Sequence, residues 1–401
     1  MRILKWISYG IGALVVLLLL ALLVLVWVVD PNRFKPRIEA EVRKATGREF
    51  TLVGDIELGF FPWLALRSGP GQFGNPPGFP AEPMASWRRA QVGAKLLPLL
   101  RGELVVDRVR LSGLDLRLVR HADGSANWQG IGSGEPAEAE PADRQLTVDG
   151  VELADSRLLF VDEGAPRRIE ITGLSLTTDE ISAGRPFTDT RIAGRLHMKG
   201  FASEGVPFEL EVPRVTLAED ASRLGVPEFS AKFGGLEVAG GVEGSLAEPL
   251  RIEGKLTSEP FDARALLGTM GIEAPGTTDP RALTRLQLAA DWQLDGGAIS
   301  IDPLKLTLDD THFSGSFRRG AGENPVGEFR LHGDALDLAR YIPPANSDSE
   351  PFVLPTARLR ALQFRGVLEL EQATLGDVVM KGVTLRLLLD GQGLRSVENS
   401  P

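Results

Sequence analysis

Beyond Gly47 the apolar residues of this chain recur at every second position, and that alternation constrains the fold more than any other feature. Leu114, Leu116 and Leu118 alternate with Asp115 and Arg117, and Phe208, Leu210 and Val212 with Glu209 and Glu211. Ile299 and Ile301, then Leu304, Leu306 and Leu308, alternate with Ser300, Lys305 and Thr307. A period of two puts one set of side chains on one face of a strand. Each run is short and is followed within a few residues by Gly, Asp or Pro, which the chain's 45 Gly and 27 Pro supply freely. The pattern predicts an antiparallel sheet with one apolar surface. Such a surface has to be buried by another sheet, by helices, or by something that is not protein.

Helices are too few to do it. Asp30 to Gly47 reads as one short amphipathic helix, with Asp30 to cap it, Pro31 in its first turn and Gly47 to end it. Its stripe of Phe34, Ile38 and Val42 suits either a membrane surface or the end of a β structure. Two further segments, Asp262 to Met270 and Ala335 to Ile342, are about two helical turns each. A sandwich or barrel closing on itself and an open sheet therefore both remain. Ser112-Gly113, Thr172-Gly173 and Lys381-Gly382 each interrupt a strand pattern, a weak strand–Gly–strand repeat.

Before the alternation begins, Trp6 to Val29 holds no charged residue. As a helix its roughly two dozen residues would span about 35 Å, enough to cross a bilayer core of about 30 Å. Trp6, Tyr9 and Trp27 stand near its ends, where amphipathic rings favour the membrane interface. The run is longer than a signal peptide's apolar region and lacks an A-x-A site, so it reads as an uncleaved anchor. Orientation is not given by the flanks. Arg2 and Lys5 precede the span, while Arg33, Lys35, Arg37, Arg43, Lys44 and Arg48 follow it.

The net charge of −10, with acids and bases interspersed, excludes nucleic acid as an expected partner. With no cysteine there are no disulfides, thiolate metal sites or Cys nucleophiles. His121, His197, His312 and His332 are scattered without metal-ligand spacing. Gly130 to Gly134 resembles a phosphate loop only superficially, because no helix and no Lys-Ser/Thr pair follows it. Asp309-Asp310-Thr311-His312 reads as a turn, since adjacent carboxylates on a strand point to opposite faces. No catalytic, metal or cofactor site is expected, and the chain reads as a non-enzyme.

Several motifs carry a family resemblance. After Asp30 and Phe34 come Thr46-Gly47-Arg48, Gly54-Asp55-Ile56, Phe61-Pro62-Trp63 and Asn75-Pro76-Pro77-Gly78-Phe79. Leu111-Ser112-Gly113-Leu114 and Asp123-Gly124-Ser125-Ala126-Asn127-Trp128 follow. Later come Asp279-Pro280-Arg281-Ala282-Leu283, Leu308-Asp309-Asp310-Thr311 and Leu338-Ala339-Arg340-Tyr341-Ile342-Pro343. In this order they resemble the AsmA family of bacterial envelope proteins.

That resemblance implies a single-pass inner-membrane anchor and a periplasmic body whose elongated antiparallel sheet curls into a lipid-accommodating groove, as in bridge-like lipid transfer proteins. It also implies the orientation that the flanking charges leave open. The expected organisation is a cytoplasmic tail (1–5), the anchor (6–29), a β region opening with the amphipathic helix (30–130), an acidic loop (131–145) and a continuing β-groove region (146–401). The last appears cut short relative to the family, leaving a sheet edge open to an outer-membrane or periplasmic protein. The implied function is to conduct phospholipid toward the outer membrane, with acyl chains and the inner membrane as partners. Leu114, Leu116, Leu118, Phe208, Leu210 and Val212 are the expected lining. A periplasmic scaffold that assists outer-membrane protein assembly is the alternative.

Overall fold

The computed structural model describes residues 30–60, 64–95, 105–131, 147–165, 167–181, 186–218, 222–322, 325–342, 363–390 and 393–396. The expected anchor, with Trp6, Tyr9 and Trp27, lies outside these residues, as does most of the acidic loop. Among the described residues no helix is long and apolar enough to cross a membrane. Strands take 62% of them and helices 9%, so helices cannot cover the sheet. The chain forms two compact units, Met1–Arg167 and Arg168–Pro401.

The first unit opens as the sequence predicts. Asp30 accepts a hydrogen bond from the Asn32 N–H at 3.0 Å and starts a 3₁₀ turn, Pro31–Phe34. This continues as helix α1 (Lys35–Thr46) and ends at Gly47, whose φ of 68° needs no Cβ. The helix closes the end of a sheet: Glu39 accepts the Leu52 N–H at 2.8 Å, and Ile38 and Val42 are half-buried.

The strands that follow are halves of four longer ones. β1 (Phe50–Leu52), β2 (Ile56–Phe60), β3 (Leu64–Ser68), β4 (Gly71–Phe73), β5 (Ala85–Trp87), β6 (Arg89–Ala94), β7 (Val105–Ser112) and β8 (Asp115–Arg120) fall into two antiparallel rows. β1, β4, β5 and β8 pair on one side of a transverse line. β2, β3, β6 and β7 pair on the other. β9 (Thr147–Asp162) then runs parallel to both β7 and β8 in one register, from Val105↔Thr147 to Arg120↔Asp162. The line itself is built from close backbone approaches. Gly54 N–H donates to Pro70 O at 2.8 Å, and a Cβ on Gly54 would lie 2.5 Å from the Gly69 Cα. Gly113, at φ 67°, donates to Ala154 O at 2.9 Å. The Ser112-Gly113 break is thus an interruption within one strand line whose register against β9 does not change.

The second unit is a ladder. β10 (Arg167–Ile181), β11 (Phe187–Met198), β12 (Val206–Leu217), β13 (Arg223–Phe233), β14 (Leu236–Ser245) and β15 (Arg251–Ser258) pair in sequence order. After helix α2 (Ala263–Thr269), capped by Asp262, come β16 (Leu286–Asp295), β17 (Ala298–Leu308), β18 (Thr311–Arg319) and β19 (Val326–Asp337). β20 (Gln363–Leu375) pairs parallel with β19, and β21 (Val378–Asp390) and β22 (Gly393–Ser396) complete the series antiparallel. Thr172-Gly173, with Gly173 at φ 58°, is a bulge inside β10, while Lys381-Gly382, with Gly382 at φ 63°, interrupts β21 without changing its register.

Two expectations need correction. The sheet is not purely antiparallel: β9 and β20 are parallel to the strands they join. Each follows a connection long enough to carry the chain back to its starting end, which parallel pairing requires. Those connections hold the two breaks seen in the sequence, the acidic loop and the Pro-rich stretch from Pro343. The helix expected over Ala335–Ile342 is only a 3₁₀ turn, Leu338–Tyr341. Ala335 to Asp337 belong to β19, which stays extended because its ladder with β20 runs to Asp337↔Thr374.

Glycines inside strands let neighbouring backbones close up. A Cβ on Gly254 would stand 2.5 Å from the Gly241 carbonyl oxygen and 2.9 Å from the Trp292 ring. On Gly315 it would stand 2.0 Å from the Arg330 carbonyl oxygen. Gly254→Val is expected to destabilise the full-length protein by roughly 1–3 kcal/mol in urea unfolding. Gly268→Ala, in α2 with nothing within 4 Å of the new methyl, should instead be neutral or mildly stabilising.

Candidate functional site

Register in the second unit carries the alternation across strands as continuous apolar rows. One row is Val226–Val242–Gly254–Trp292–Ile301–Phe317–Phe329. A second is Phe229–Gly240–Leu256–Ala290–Leu304–Gly315–Leu331–Leu368–Leu385. A third, Leu176–Ile192–Leu210–Ala231–Val238, contains the predicted Leu210. The opposite face is charged and largely neutralised across strands. Arg191–Glu211 at 3.1 Å, Arg251–Asp295 at 3.1 Å, Lys232–Glu237 at 3.4 Å and Lys255–Asp291 at 3.5 Å are such pairs.

The described strands of this unit form one continuous ladder. Among the described residues, none of its strands makes an extended contact with a strand other than its ladder neighbours. Trp292, Ile252, Leu294 and Leu256 are only half-buried. A compact plug exists at one end, where Phe313, Leu370 and Ala373 pack with Leu306, Leu336 and Val383. Along β10–β17 the face is mixed: Val206, Val212 and Ala290 are buried, while many of their apolar neighbours stay half-buried.

The predicted lining residues divide between the units. Phe208 stands between Gly194 and Phe233, Leu210 between Ile192 and Ala231, and Val212, 8% exposed, beside Thr190. In the first unit Leu116 pairs with Ala85 and Leu158, and Leu118 with Phe160. Leu114 sits on the transverse line, its N–H donating to the Ser156 hydroxyl at 3.2 Å. The strand glycines that let the sheet close up were missed by sequence reasoning. Their only signal was Gly within alternating runs, as in Ile252-Glu253-Gly254-Lys255-Leu256.

The polar motifs meet in two buried knots, one in each unit. In the first, the Asn127 side chain completes the edge of β8 like a strand. Its Nδ2 donates to Arg117 O at 2.7 Å and to Asn75 Oδ1 at 2.9 Å, and its Oδ1 accepts the Val119 N–H at 2.9 Å. Arg48, 5% exposed, donates to the carbonyl oxygens of Asn127 and of Gln129, the latter at 2.7 Å. Burial pushes the Arg48 guanidinium below its ordinary value, and no carboxylate pairs with it among the described residues. Nearby, His121 stacks on Phe79 at 4.3 Å and meets Glu163 Oε2 at 2.7 Å, a hydrogen bond that raises its pKa. Three separate sequence motifs thus hold the segment that leaves β8 for the crossover. Asn127→Asp, which keeps the shape but replaces two donors with charge, should cost roughly 2–3 kcal/mol in urea unfolding.

The second knot holds the segment that leaves β19. Asp309, 4% exposed and at φ 52° in the β17–β18 turn, accepts the N–H groups of Leu283 at 2.9 Å and of Thr284 and Arg285 at 3.1 Å. It also accepts the Tyr341 hydroxyl at 2.8 Å. Arg340 donates to Asp279 at 3.0 Å and Asp310 at 2.8 Å. Burial alone would raise the Asp309 carboxyl, but these hydrogen bonds and the Arg340 charge hold it below the usual range. Burial and donation to this carboxylate push the Tyr341 hydroxyl up. A depressed folded value means that Asp309 stabilises the fold above the unfolded pKa of about 3.9, and that this is lost as pH falls through the folded value. Tyr341→Phe should cost about 2 kcal/mol at neutral pH and flatten the acid limb of stability against pH, read by urea midpoints.

The AsmA family sequence model matches residues 1–204. AsmA family protein YhjG of Escherichia coli (strain K12) is 24% identical over 330 residues, covering 66% of this chain and 48% of the relative. Protein AsmA of the same strain is 22% identical over 332 residues, covering 82% of this chain and 47% of the relative. The chain thus spans about half the length of these curated relatives. No solved structure matches it.

Proposed function

The chain belongs to the AsmA family, and from that premise we propose that it is an inner-membrane-anchored envelope protein whose periplasmic β body shelters and conducts phospholipid toward the outer membrane. Family membership supports an envelope-associated role. The observation that carries the lipid reading is the apolar face of β10–β17, continuous across strands, on which Trp292, Ile252, Leu294 and Leu256 are only half-buried. Acyl chains laid on such a face gain about 0.8 kcal/mol per buried CH₂, while the headgroup stays in water. Sliding along rows of similar apolarity keeps that burial nearly constant, so transfer needs no catalyst, and we take the protein to be a non-enzyme. The two knots then have a structural role: they hold the parallel crossovers that keep the strands in register.

The packed end at Phe313, Leu370 and Ala373 favours, for that part, the alternative of a scaffold filled by its own side chains. A photo-crosslinking residue in the full-length protein in cells separates the two. Placed at Leu210, on the apolar face, it is expected to yield phospholipid adducts; placed at neighbouring Glu211, on the charged face, it should not. Absence of lipid adducts at Leu210, Leu256 and Leu294 alike would defeat the transfer reading and leave the scaffold.

A further inference from the structure

On the charged face of the second unit basic groups cluster across β18–β21. Across β18–β21 two adjacent rows bring four arginines together. Arg318, Glu328 and Arg365 occupy neighbouring positions in one row, and Ser316, Arg330, Val367 and Arg386 in the next. Arg318 is engaged by Asp302 at 3.2 Å, and Arg365 by Glu328. The next carboxylates along β20, Glu369 and Glu371, lie 3.9 and 3.5 Å from the ring nitrogens of His332. Arg330 and Arg386 are exposed, and among the described residues neither has an ion-pair partner. At other positions on this face, such as Arg191–Glu211 and Arg251–Asp295, a basic group faces an acid on the adjacent strand. In a chain of net charge −10 this local surplus is not a product of composition.

The four arginines line a hollow of ≈ 530 Å³ together with Ser316, Val367 and the two carboxylates already engaged, Asp302 by Arg318 and Glu328 by Arg365. Arg330 and Arg386 are two strands apart, about 10 Å at strand spacing, so an anion between them can be approached from both sides. Planar guanidinium forks suit the paired oxygens of a phosphate group, and Ser316 adds a hydroxyl donor. Val367 gives the centre an apolar floor, which strengthens charge-assisted hydrogen bonds above it.

We propose that this hollow is a binding site for phosphate groups, whether carried on a lipid headgroup or free in solution. It lies on the face opposite the apolar rows and does not rest on the transfer reading. The test is calorimetric titration of the full-length protein in a neutral non-ionic detergent. The probes are dihexanoyl-phosphatidylglycerol, inorganic phosphate and zwitterionic dihexanoyl-phosphatidylcholine.

The wild type is expected to bind an anionic probe saturably and more weakly as NaCl is raised. The Arg330→Gln/Arg386→Gln double variant should lose about tenfold in affinity, and Arg330→Lys/Arg386→Lys less. Arg191→Gln/Arg251→Gln, on the same face but in paired positions, should be unchanged. Competition by inorganic phosphate against the anionic lipid marks a headgroup site; binding of inorganic phosphate alone marks the free ion. Undiminished affinity in the double variant, an equal loss in the paired-position control, or no anion binding by the wild type would overturn the proposal. Lipid held only on the apolar face would show as binding of both lipids that is indifferent to the arginines.

Discussion

A single layer of sheet with one apolar face has nothing of its own to put that face against, and the rest of this structure is organised around that constraint. In an ordinary β domain a second sheet or a set of helices closes the core. Among the described residues the α-helices are α1, which caps one end of the first unit, and α2, a short insert between β15 and β16. In the second unit the strands touch only their ladder neighbours along most of its length. Burial is partial for most of these side chains and nearly complete at Leu370 and Ala373 in the β18–β21 plug and at Val206 in β12. Glycines such as Gly254 and Gly315 let neighbouring backbones close in, so the apolar side chains beside them shield each other without another layer.

Long meanders of this kind have weakly specified register unless something pins it. The two knots supply pins at the points of greatest risk, where the chain leaves a strand and returns parallel to it. Each concentrates polar groups that would be costly if left unpaired: a guanidinium on carbonyl oxygens in the first unit, a carboxylate on three backbone N–H groups in the second. The knots draw on the most distinctive sequence motifs, so those motifs describe how this fold is fastened.

Family, strand character, the 30–47 helix and the Asp309 turn were all legible in the sequence because each follows from local pattern or cap chemistry. Two kinds of error have one source. Ala335-Leu336-Asp337 looks helical in isolation but is held extended by a partner strand distant in sequence. Ser112-Gly113 reads as a break between two strands, yet β7 and β8 lie along one line because they share β9 as a parallel neighbour in one register. The knots were invisible for the same reason: Arg48, Asn75 and Asn127 are ordinary polar residues until the fold brings them together.

By itself the sequence determined that the body is made of one-faced strands with too few helices to cover them, since side-chain alternation is a property of consecutive residues. Only the tertiary structure decided which strands are neighbours, where the chain runs parallel, and which stretch of apolar face is plugged. Those depend on pairing between distant segments, and hydrogen bonds across a ladder carry no trace in local composition.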